Sequence, residues 1–122
     1  MSQLPILTEI KDRNHFAELL KENPGLFIIK FGAEWCGPCK QIEGLVNNWF
    51  NKTNEKVQCA IIDVDESFDI YAFLKSKKMV NGIPAILCYE KDNHNYVPDD
   101  VVIGADVAKV NAFFTKNLSK VM

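Results

Sequence analysis

The sequence predicts a single α/β domain whose central mixed β-sheet is flanked by helices on both faces. Its 122 residues suit one domain, taken as residues 1–122. Apolar runs of strand length alternate with segments of helical periodicity, which is typical of βαβ units with right-handed crossovers. The final two strand-like runs are joined by a loop too short for a crossover, so we expect them to pair antiparallel.

The first half of the chain predicts a strand, a helix, a central strand and a long helix. A short apolar segment at 4–10 is the expected edge strand. Asp12 or Asn14 is expected to cap a helix that the following Asn-Pro-Gly sequence stops. The run at 26–31 is almost wholly apolar, which indicates a central strand covered on both faces. A broad apolar stripe predicts the helix at 36–51.

The second half predicts two strands around a helix, followed by a final strand and a final helix. The apolar run at 57–64 is the next expected strand, and the helix at 69–79 follows it. A turn leads to the strand at 85–90, and a polar loop then leads to a short strand at 101–103. Asp106 is expected to cap the last helix, whose apolar residues fall on one face.

Charge and hydropathy favour a soluble protein without a nucleic-acid or membrane partner. Lys and Arg number 14 against 16 Asp and Glu, for a net charge of -2, and 48% of the residues are hydrophobic. Nucleic acid or an anionic membrane would favour a basic patch, which this balance does not predict. The first residues lack the regions of a signal peptide, and the apolar runs are far too short to span a bilayer. We therefore expect a cytoplasmic location.

The strongest chemical signal is a pair of cysteines, Cys36 and Cys39, in the sequence WCGPCK. A thiol at a helix N-terminus is favoured as the thiolate, which is the form that attacks disulfides. A C-x-x-C pair can also bind zinc, but a structural zinc site needs a second ligand pair. The two histidines, His15 and His94, are far apart in sequence, so the pattern favours a redox pair over a metal site.

The other two cysteines, Cys59 and Cys88, lie within the apolar strands expected at 57–64 and 85–90. Structural disulfides are rare in a reducing compartment, so a second bridge is not favoured. A free cysteine in a strand is usually buried and behaves as a small hydrophobic residue. We therefore expect both thiols to be buried and free.

Residues 33–40, of sequence AEWCGPCK, resemble the active-site segment of the thioredoxin family. The order of the expected elements, the Gly-Ile-Pro sequence at 82–84 and the Ile-Gly-Ala sequence at 103–105 also match the family pattern. The resemblance covers nearly the whole chain and implies the thioredoxin fold. It also implies a thiol–disulfide oxidoreductase that reduces protein disulfides through a reversible Cys36–Cys39 disulfide.

The resemblance implies a role for each residue of the motif. Cys36 would be the exposed nucleophile, and Cys39, more deeply buried, would resolve the mixed disulfide. Gly37 and Pro38 would set the geometry of the disulfide ring and tune its redox potential. Trp35 would shield and shape the site, although a half-buried core aromatic residue is the alternative interpretation.

Two further segments would form the substrate groove of a thioredoxin-type site. Pro84 would be the family's cis proline, packed against the disulfide, although a trans proline at the start of a strand is the alternative. The backbone of Ile83 would hydrogen-bond an extended substrate segment. Gly104, within the 103–105 segment, would form another wall of the same groove.

The implied chemistry needs no metal, flavin or nucleotide in this chain. It needs disulfide-containing protein substrates and a thioredoxin-reductase-like electron donor, and a monomer is expected. A second interpretation is a thioredoxin-fold binding module with weak or no redox activity. Spliceosomal thioredoxin-like proteins are such modules, but they lack an intact C-x-x-C, so the cysteine pair favours catalysis.

Lys30 departs from the family pattern. Six residues before the first cysteine, thioredoxins usually have a buried aspartate beneath the disulfide. A cation there would favour the thiolate, whereas burial would favour a neutral amine that can accept a proton. A third interpretation is that Lys30 extends to solvent and does nothing for catalysis. Gly44, where many thioredoxins have a helix-kinking proline, would permit a bend.

Overall fold

Four strands form one mixed sheet in the computed structural model, which describes residues 3–122. The strands are β1 (Leu26–Gly32), β2 (Val57–Asp63), β3 (Ala85–Glu90) and β4 (Asp100–Ile103), in the spatial order β2-β1-β3-β4. The pair β1–β2 is parallel, whereas β1–β3 and β3–β4 are antiparallel. The expected mixed sheet, with its final two strands antiparallel, is therefore confirmed.

Within the described residues, five helices flank this sheet. They are α1 (Arg13–Lys21), α2 (Gly37–Gln41), α3 (Glu43–Phe50), α4 (Phe68–Ser76) and α5 (Val107–Leu118). One apolar cluster joins the sheet to α1 and α4, and a second joins it to α3 and α5. Within residues 3–122 no helix is long and apolar enough to cross a membrane.

The alternation of side chains along β1 divides its residues between the two clusters. Phe27, Ile29 and Phe31 belong to the cluster of α1 and α4. Leu26 and Ile28 belong to the cluster of α3 and α5. Successive strand residues point to opposite faces, so Lys30, the next even-numbered position of β1, faces the side of α3 and α5 as well. The position of Lys30 follows from this alternation.

The strand expected at 4–10 is wrong, because only one residue of this segment pairs with the sheet. Leu7 forms an isolated parallel bridge with Ala60. Its N–H donates to the Cys59 carbonyl at 3.0 Å, and its carbonyl accepts from the Ile61 N–H at 2.8 Å. Pro5, two residues earlier, has no N–H to extend the ladder. This segment therefore forms an isolated bridge and not a strand.

The single helix expected at 36–51 is wrong as well, because a turn at Ile42 divides it into α2 and α3. Ile42 has φ −107° and ψ 4°, outside the helical region. It is both the C-cap of α2 and the N-cap of α3. Its side chain is fully buried. The bend that was expected near Gly44 is therefore located two residues earlier, at Ile42, whose side chain lies in the core.

The helix expected at 69–79 ends earlier, at Ser76. Lys78 adopts a positive φ of 64°, a left-handed conformation that cannot continue an α-helix. The expected caps at the other helices are confirmed, since Asp12 accepts from the His15 N–H at 2.8 Å and Asp106 accepts from the Lys109 N–H at 3.1 Å. These side chains satisfy backbone donors that the helices leave unpaired.

Candidate redox site

Cys36 and Cys39 lie where β1 leads into α2, and they are joined by a disulfide with a Cα–Cα separation of 5.3 Å. Cys36 is the N-cap of α2, and its sulfur accepts a hydrogen bond from the Cys39 N–H at 3.2 Å. Pro38 occupies the first turn of α2. Backbone N–H groups in a first turn have no partner within the helix, so a proline there costs no hydrogen bond. A backbone donor aimed at the Cys36 sulfur favours its thiolate over its thiol after reduction.

The expectation that Cys36 is exposed and Cys39 more deeply buried is wrong for the disulfide form. The exposed fraction of Cys36 is 5% and that of Cys39 is 4%. The sulfur of Cys36 lies 3.9 Å from the Ile83 carbonyl oxygen on one side and is bonded to Cys39 on the other. Gly37 and Pro38, in contrast, are exposed and form the outer surface of the ring.

Trp35 presents its ring to solvent, with an exposed fraction of 69%, and is not a half-buried core residue. Its indole N–H donates to the Asp65 carboxylate at 2.8 Å, which fixes the ring beside the disulfide. Sequence reasoning missed Asp65. The available signal was its place just beyond β2, because parallel strands end at the same edge of a sheet and β2 is parallel to β1.

The residues expected to form the groove lie together. The Ile83–Pro84 peptide bond is cis. Gly104 has a positive φ of 100°, a conformation that favours glycine, and its N–H donates to the Pro84 carbonyl at 2.8 Å. The register of β3 and β4, which pairs Ala85 with Ile103, places the two segments side by side. Their part in binding substrate stays a prediction.

Lys30 lies close to Cys39 and is largely buried, with an exposed fraction of 5%. It lines a cavity of about 420 Å³ that is also bounded by Gly32, Cys39 and Glu43. Burial lowers the pKa of Lys30, and the Glu43 carboxylate acts in the opposite direction. Within residues 3–122 the Lys30 amine has neither a hydrogen bond nor an ion pair to another side chain.

Gly32 lies beside both Cys39 and Lys30. A Cβ atom at Gly32 would lie 3.4 Å from the Cys39 sulfur and 3.9 Å from the Lys30 Cε. These two atoms therefore border the same small space at the end of β1. Gly32 and Glu43 were both missed in the sequence, where a glycine at a strand end and a glutamate early in a helix have no distinctive pattern.

Cys59 and Cys88 are free and buried, as expected. Burial raises the pKa of each thiol to about 12. For Cys59 the Thr53 hydroxyl, 3.8 Å from the sulfur, acts weakly in the opposite direction. At pH 8 a thiol with such a pKa is ionised to about one part in ten thousand, so neither cysteine is a nucleophile.

We predict that iodoacetamide at pH 8 modifies the reduced, folded protein in the C-x-x-C pair and leaves Cys59 and Cys88 intact. Raised pKa values hold both thiols in their unreactive form, and burial excludes the reagent. Mass spectrometry of tryptic peptides measures the outcome, with the protein unfolded in guanidinium as the control in which all four thiols react. Comparable labelling of either buried cysteine in the folded and unfolded protein would contradict the prediction.

Comparisons with known proteins identify the family. The family model described as Thioredoxin matches residues 7–116. The chain belongs to the thioredoxin family. Thioredoxin from Mycoplasma pneumoniae is 35% identical to this family member over 94 residues, which cover 75% of the chain and 83% of that relative. Thioredoxin of Trichomonas vaginalis has a solved structure that superposes with a TM-score of 0.71 at 26% identity, covering 90% of this chain and 96% of that one.

A longer relative also matches this thioredoxin-family chain. Protein disulfide-isomerase like 2-2 from Arabidopsis thaliana is 33% identical over 85 residues, which cover 70% of the chain but only 18% of that relative. The match is therefore to one part of a larger protein. Family membership and a Cys36–Cys39 pair at disulfide distance support thiol–disulfide oxidoreductase function, of the protein-disulfide reductase type.

Proposed function

We propose that this chain reduces disulfide bonds of other proteins through reversible oxidation of Cys36 and Cys39. The observation that carries the proposal is the bond between these two cysteines at the start of α2, beside the cis peptide of Ile83 and Pro84. A neighbouring thiol makes this pair suitable for two-electron exchange, because the second sulfur can complete the reaction within the same molecule.

The reaction proceeds in two exchanges. The Cys36 thiolate attacks one sulfur of a substrate disulfide, a mixed disulfide forms, and the other substrate sulfur leaves as a thiolate that takes up a proton. Cys39 then loses its proton and attacks the Cys36 sulfur. The bond between Cys36 and the substrate breaks, and the second substrate sulfur leaves reduced. The substrate gains two electrons and the chain ends with the Cys36–Cys39 disulfide.

The substrate segment lies across the surface formed by Trp35, Ile83, Pro84 and Gly104. The exposed indole of Trp35 supplies apolar contact area, and its bond to Asp65 keeps the ring in place. The backbone of Ile83 offers polar groups to an extended segment, as a sheet edge does for a peptide. Gly37 and Pro38 form the exposed outer surface of the ring, over which the substrate sulfur approaches.

The reduced form is regenerated by a thioredoxin-reductase-like electron donor, since each turnover leaves the chain oxidised. We place the chain in the cytoplasm and expect it to act as a monomer on disulfide-containing proteins. The proposed exchange uses two thiols and needs no metal, flavin or nucleotide in this chain, and nucleic acid and membranes are not among its expected partners.

Single-turnover reduction of insulin by the pre-reduced chain tests the proposed function. We expect one insulin disulfide to be reduced for each Cys36–Cys39 pair oxidised, as counted by thiol titration and mass spectrometry. A chain that binds a protein partner but reduces no disulfide would instead favour the thioredoxin-fold binding module. The reduction potential, measured against glutathione, then distinguishes a reductant from an oxidant.

Lys30 is expected to make the dithiol pair more oxidising than an aspartate at the same position would. A cation beside the thiols stabilises the reduced, thiolate-bearing form and so raises the reduction potential, whereas Lys30→Asp replaces it with a repelling anion. We expect Lys30→Asp to lower the potential by about 30 mV, which corresponds to about 1.4 kcal/mol. Equilibration with glutathione measures it.

The control for this prediction is Lys30→Met, which keeps the length of the buried side chain and removes only its charge. Its potential should fall between those of the parent chain and Lys30→Asp. A Lys30→Asp variant that is folded, by circular dichroism, and has an unchanged or higher potential would show that Lys30 does not tune the pair.

A further inference from the structure

Two aromatic side chains, Trp35 and Phe68, are exposed at the same edge of the protein. Among the Phe, Trp and Tyr residues of the described range 3–122 they alone are exposed, with exposed fractions of 69% and 68%. Asp65 links them, because its carboxylate accepts the Trp35 indole N–H at 2.8 Å and Phe68 follows three residues later, as the first residue of α4. The intervening chain is a tight turn, in which the Ser67 N–H donates to the Asp63 carbonyl at 2.9 Å. Single exposed apolar residues are ordinary, but two large ones beside a redox pair indicate a surface for a partner.

The side of α4 that carries Phe68 is turned away from α1. Asp69 faces α1, since its carboxylate accepts from the Arg13 guanidinium at 3.2 Å. Tyr71, three residues after Phe68 and therefore its neighbour on the helix surface, packs on Phe31 with 5.5 Å between ring centroids. Phe31 lies at the end of β1 that leads into the redox site. Phe68 is therefore on the side of α4 that continues toward the disulfide.

The surface around Phe68 adjoins the surface proposed to bind substrate. Tyr71 and Ile83 are half-buried and pack against one apolar cluster, that of α1 and α4. The Ile83 carbonyl oxygen lies 3.9 Å from the Cys36 sulfur. An extended chain advances by about 3.3 Å per residue. A segment whose disulfide reaches Cys36 can therefore place a side chain against Phe68 from a few residues away.

Exposed carboxylates flank the two aromatic rings. Glu34 directly precedes Trp35, Glu66 lies two residues before Phe68, and both glutamates line the cavity that also borders the C-x-x-C pair. That cavity is lined by four carboxylates and two lysines. Within residues 3–122 neither glutamate forms an ion pair, and nor does Asp65. The excess negative charge favours a partner segment that carries Lys or Arg.

We propose that Phe68 is a specificity-determining residue, and that the surface it extends selects disulfide-bearing segments with an apolar side chain next to Lys or Arg. The inference rests on the proposed dithiol function. The apolar side chain buries area against Phe68 and Trp35, which favours binding in proportion to the area removed from water. The cation of the segment meets Glu34 and Glu66, and this attraction acts mainly on the rate of encounter.

Four synthetic disulfide peptides test the proposal, each combining leucine or serine with lysine or glutamate beside its disulfide. The second-order rate constant with the reduced chain is divided by that with dithiothreitol, which corrects for intrinsic differences in reactivity among the peptides. We expect the corrected rate constant of the lysine peptides to exceed that of the glutamate peptides by about 10-fold, the lower end of electrostatic steering. This preference should decrease as salt is added.

Phe68→Ala tests the apolar part of the surface. We expect it to slow reduction of the leucine peptides by about 5-fold, the effect of losing contact with one or two methylene-sized groups, and to leave the serine peptides within about twofold. Val97→Ala is the control, because Val97 is also exposed, at 46%, but lies in the loop between β3 and β4 at the far end of the sheet. Equal slowing of leucine and serine peptides in Phe68→Ala would overturn the inference.

The double variant Glu34→Gln with Glu66→Gln tests the charged part. We expect it to reduce the preference for lysine over glutamate by about 3-fold or more. The matched control is Glu22→Gln with Glu55→Gln, which changes the net charge equally at exposed positions after α1 and before β2, away from the redox end of the sheet. A preference that survives in the first double variant, or that falls equally in both, would overturn the proposed selection by charge.

Hydroxyethyl disulfide separates this inference from the proposed function. It is uncharged and too short to reach Phe68 while it reacts at Cys36, so every variant above should reduce it at the parent rate. A parent chain that reduces it but shows no preference among the peptides would overturn the specificity inference alone. A parent chain that reduces neither this compound nor insulin would overturn the proposed function, and the inference with it.

Discussion

Cys36→Ser is expected to lower the rate of disulfide reduction by at least about a thousandfold, down to the uncatalysed background. A serine hydroxyl is not ionised near neutral pH and cannot replace a thiolate as the nucleophile. The backbone donor that now points at the Cys36 sulfur, the Cys39 N–H at 3.2 Å, would be left to stabilise a neutral oxygen. Insulin reduction with a recycling reductant measures the loss.

The matched experiment replaces the other member of the pair. Cys39→Ser keeps the nucleophile and removes the resolving thiol, so we expect a mixed disulfide between Cys36 and the substrate to accumulate, with the mass of both components. Cys88→Ala serves as the control, because this thiol is buried and its pKa is raised to about 12. It should retain the parent activity.

These variants also test the alternative of a binding module. If Cys36→Ser retains activity within about tenfold of the parent chain, the first cysteine is not the nucleophile and the order of the two exchanges is wrong. If neither the parent chain nor Cys39→Ser forms a mixed disulfide, the redox role fails altogether. A module would bind a partner equally well in all of these variants, because none of them changes the exposed surface of Trp35.

The sequence predicted most of the fold because hydrophobic periodicity is a local signal that packing reinforces. The run at 26–31 is nearly all apolar and became the central strand, since both of its faces are covered by helices. Where the signal was short, packing decided instead. Residues 4–10 contain four apolar side chains but form one bridge, at Leu7. The turn at Ile42 carries no Gly or Pro to mark it, and its side chain is fully buried.

The candidate site was predicted in part for a similar reason. The C-x-x-C spacing is contiguous in sequence, and the resemblance supplied Pro84 and Gly104. Asp65 and Glu43 were missed, because each acts on a residue from another element, Trp35 and Lys30 respectively. Such pairs depend on how the end of β2 and the start of α3 are placed relative to β1. Residue spacing in the sequence does not reveal that placement.

Phe114→Ala is expected to lower the free energy of unfolding by about 3–5 kcal/mol. The ring of Phe114 is fully buried between α5 and α3. It stacks on Trp49 with 5.4 Å between ring centroids and meets Phe50 edge-on at 5.7 Å and Phe113 edge-on at 5.4 Å. Removing the ring leaves a cavity among three aromatic neighbours that cannot collapse together without moving α3.

The matched control is Phe68→Ala, which deletes the same atoms from a side chain that is 68% exposed. It should change the free energy of unfolding by no more than about 0.5 kcal/mol. Guanidinium unfolding of the oxidised proteins, followed by circular dichroism, measures both. A loss below about 1 kcal/mol at Phe114, or equal losses at the two positions, would contradict the argument. Small domains have a free energy of unfolding of only about 5–15 kcal/mol, so the expected loss at Phe114 is a large fraction of the total.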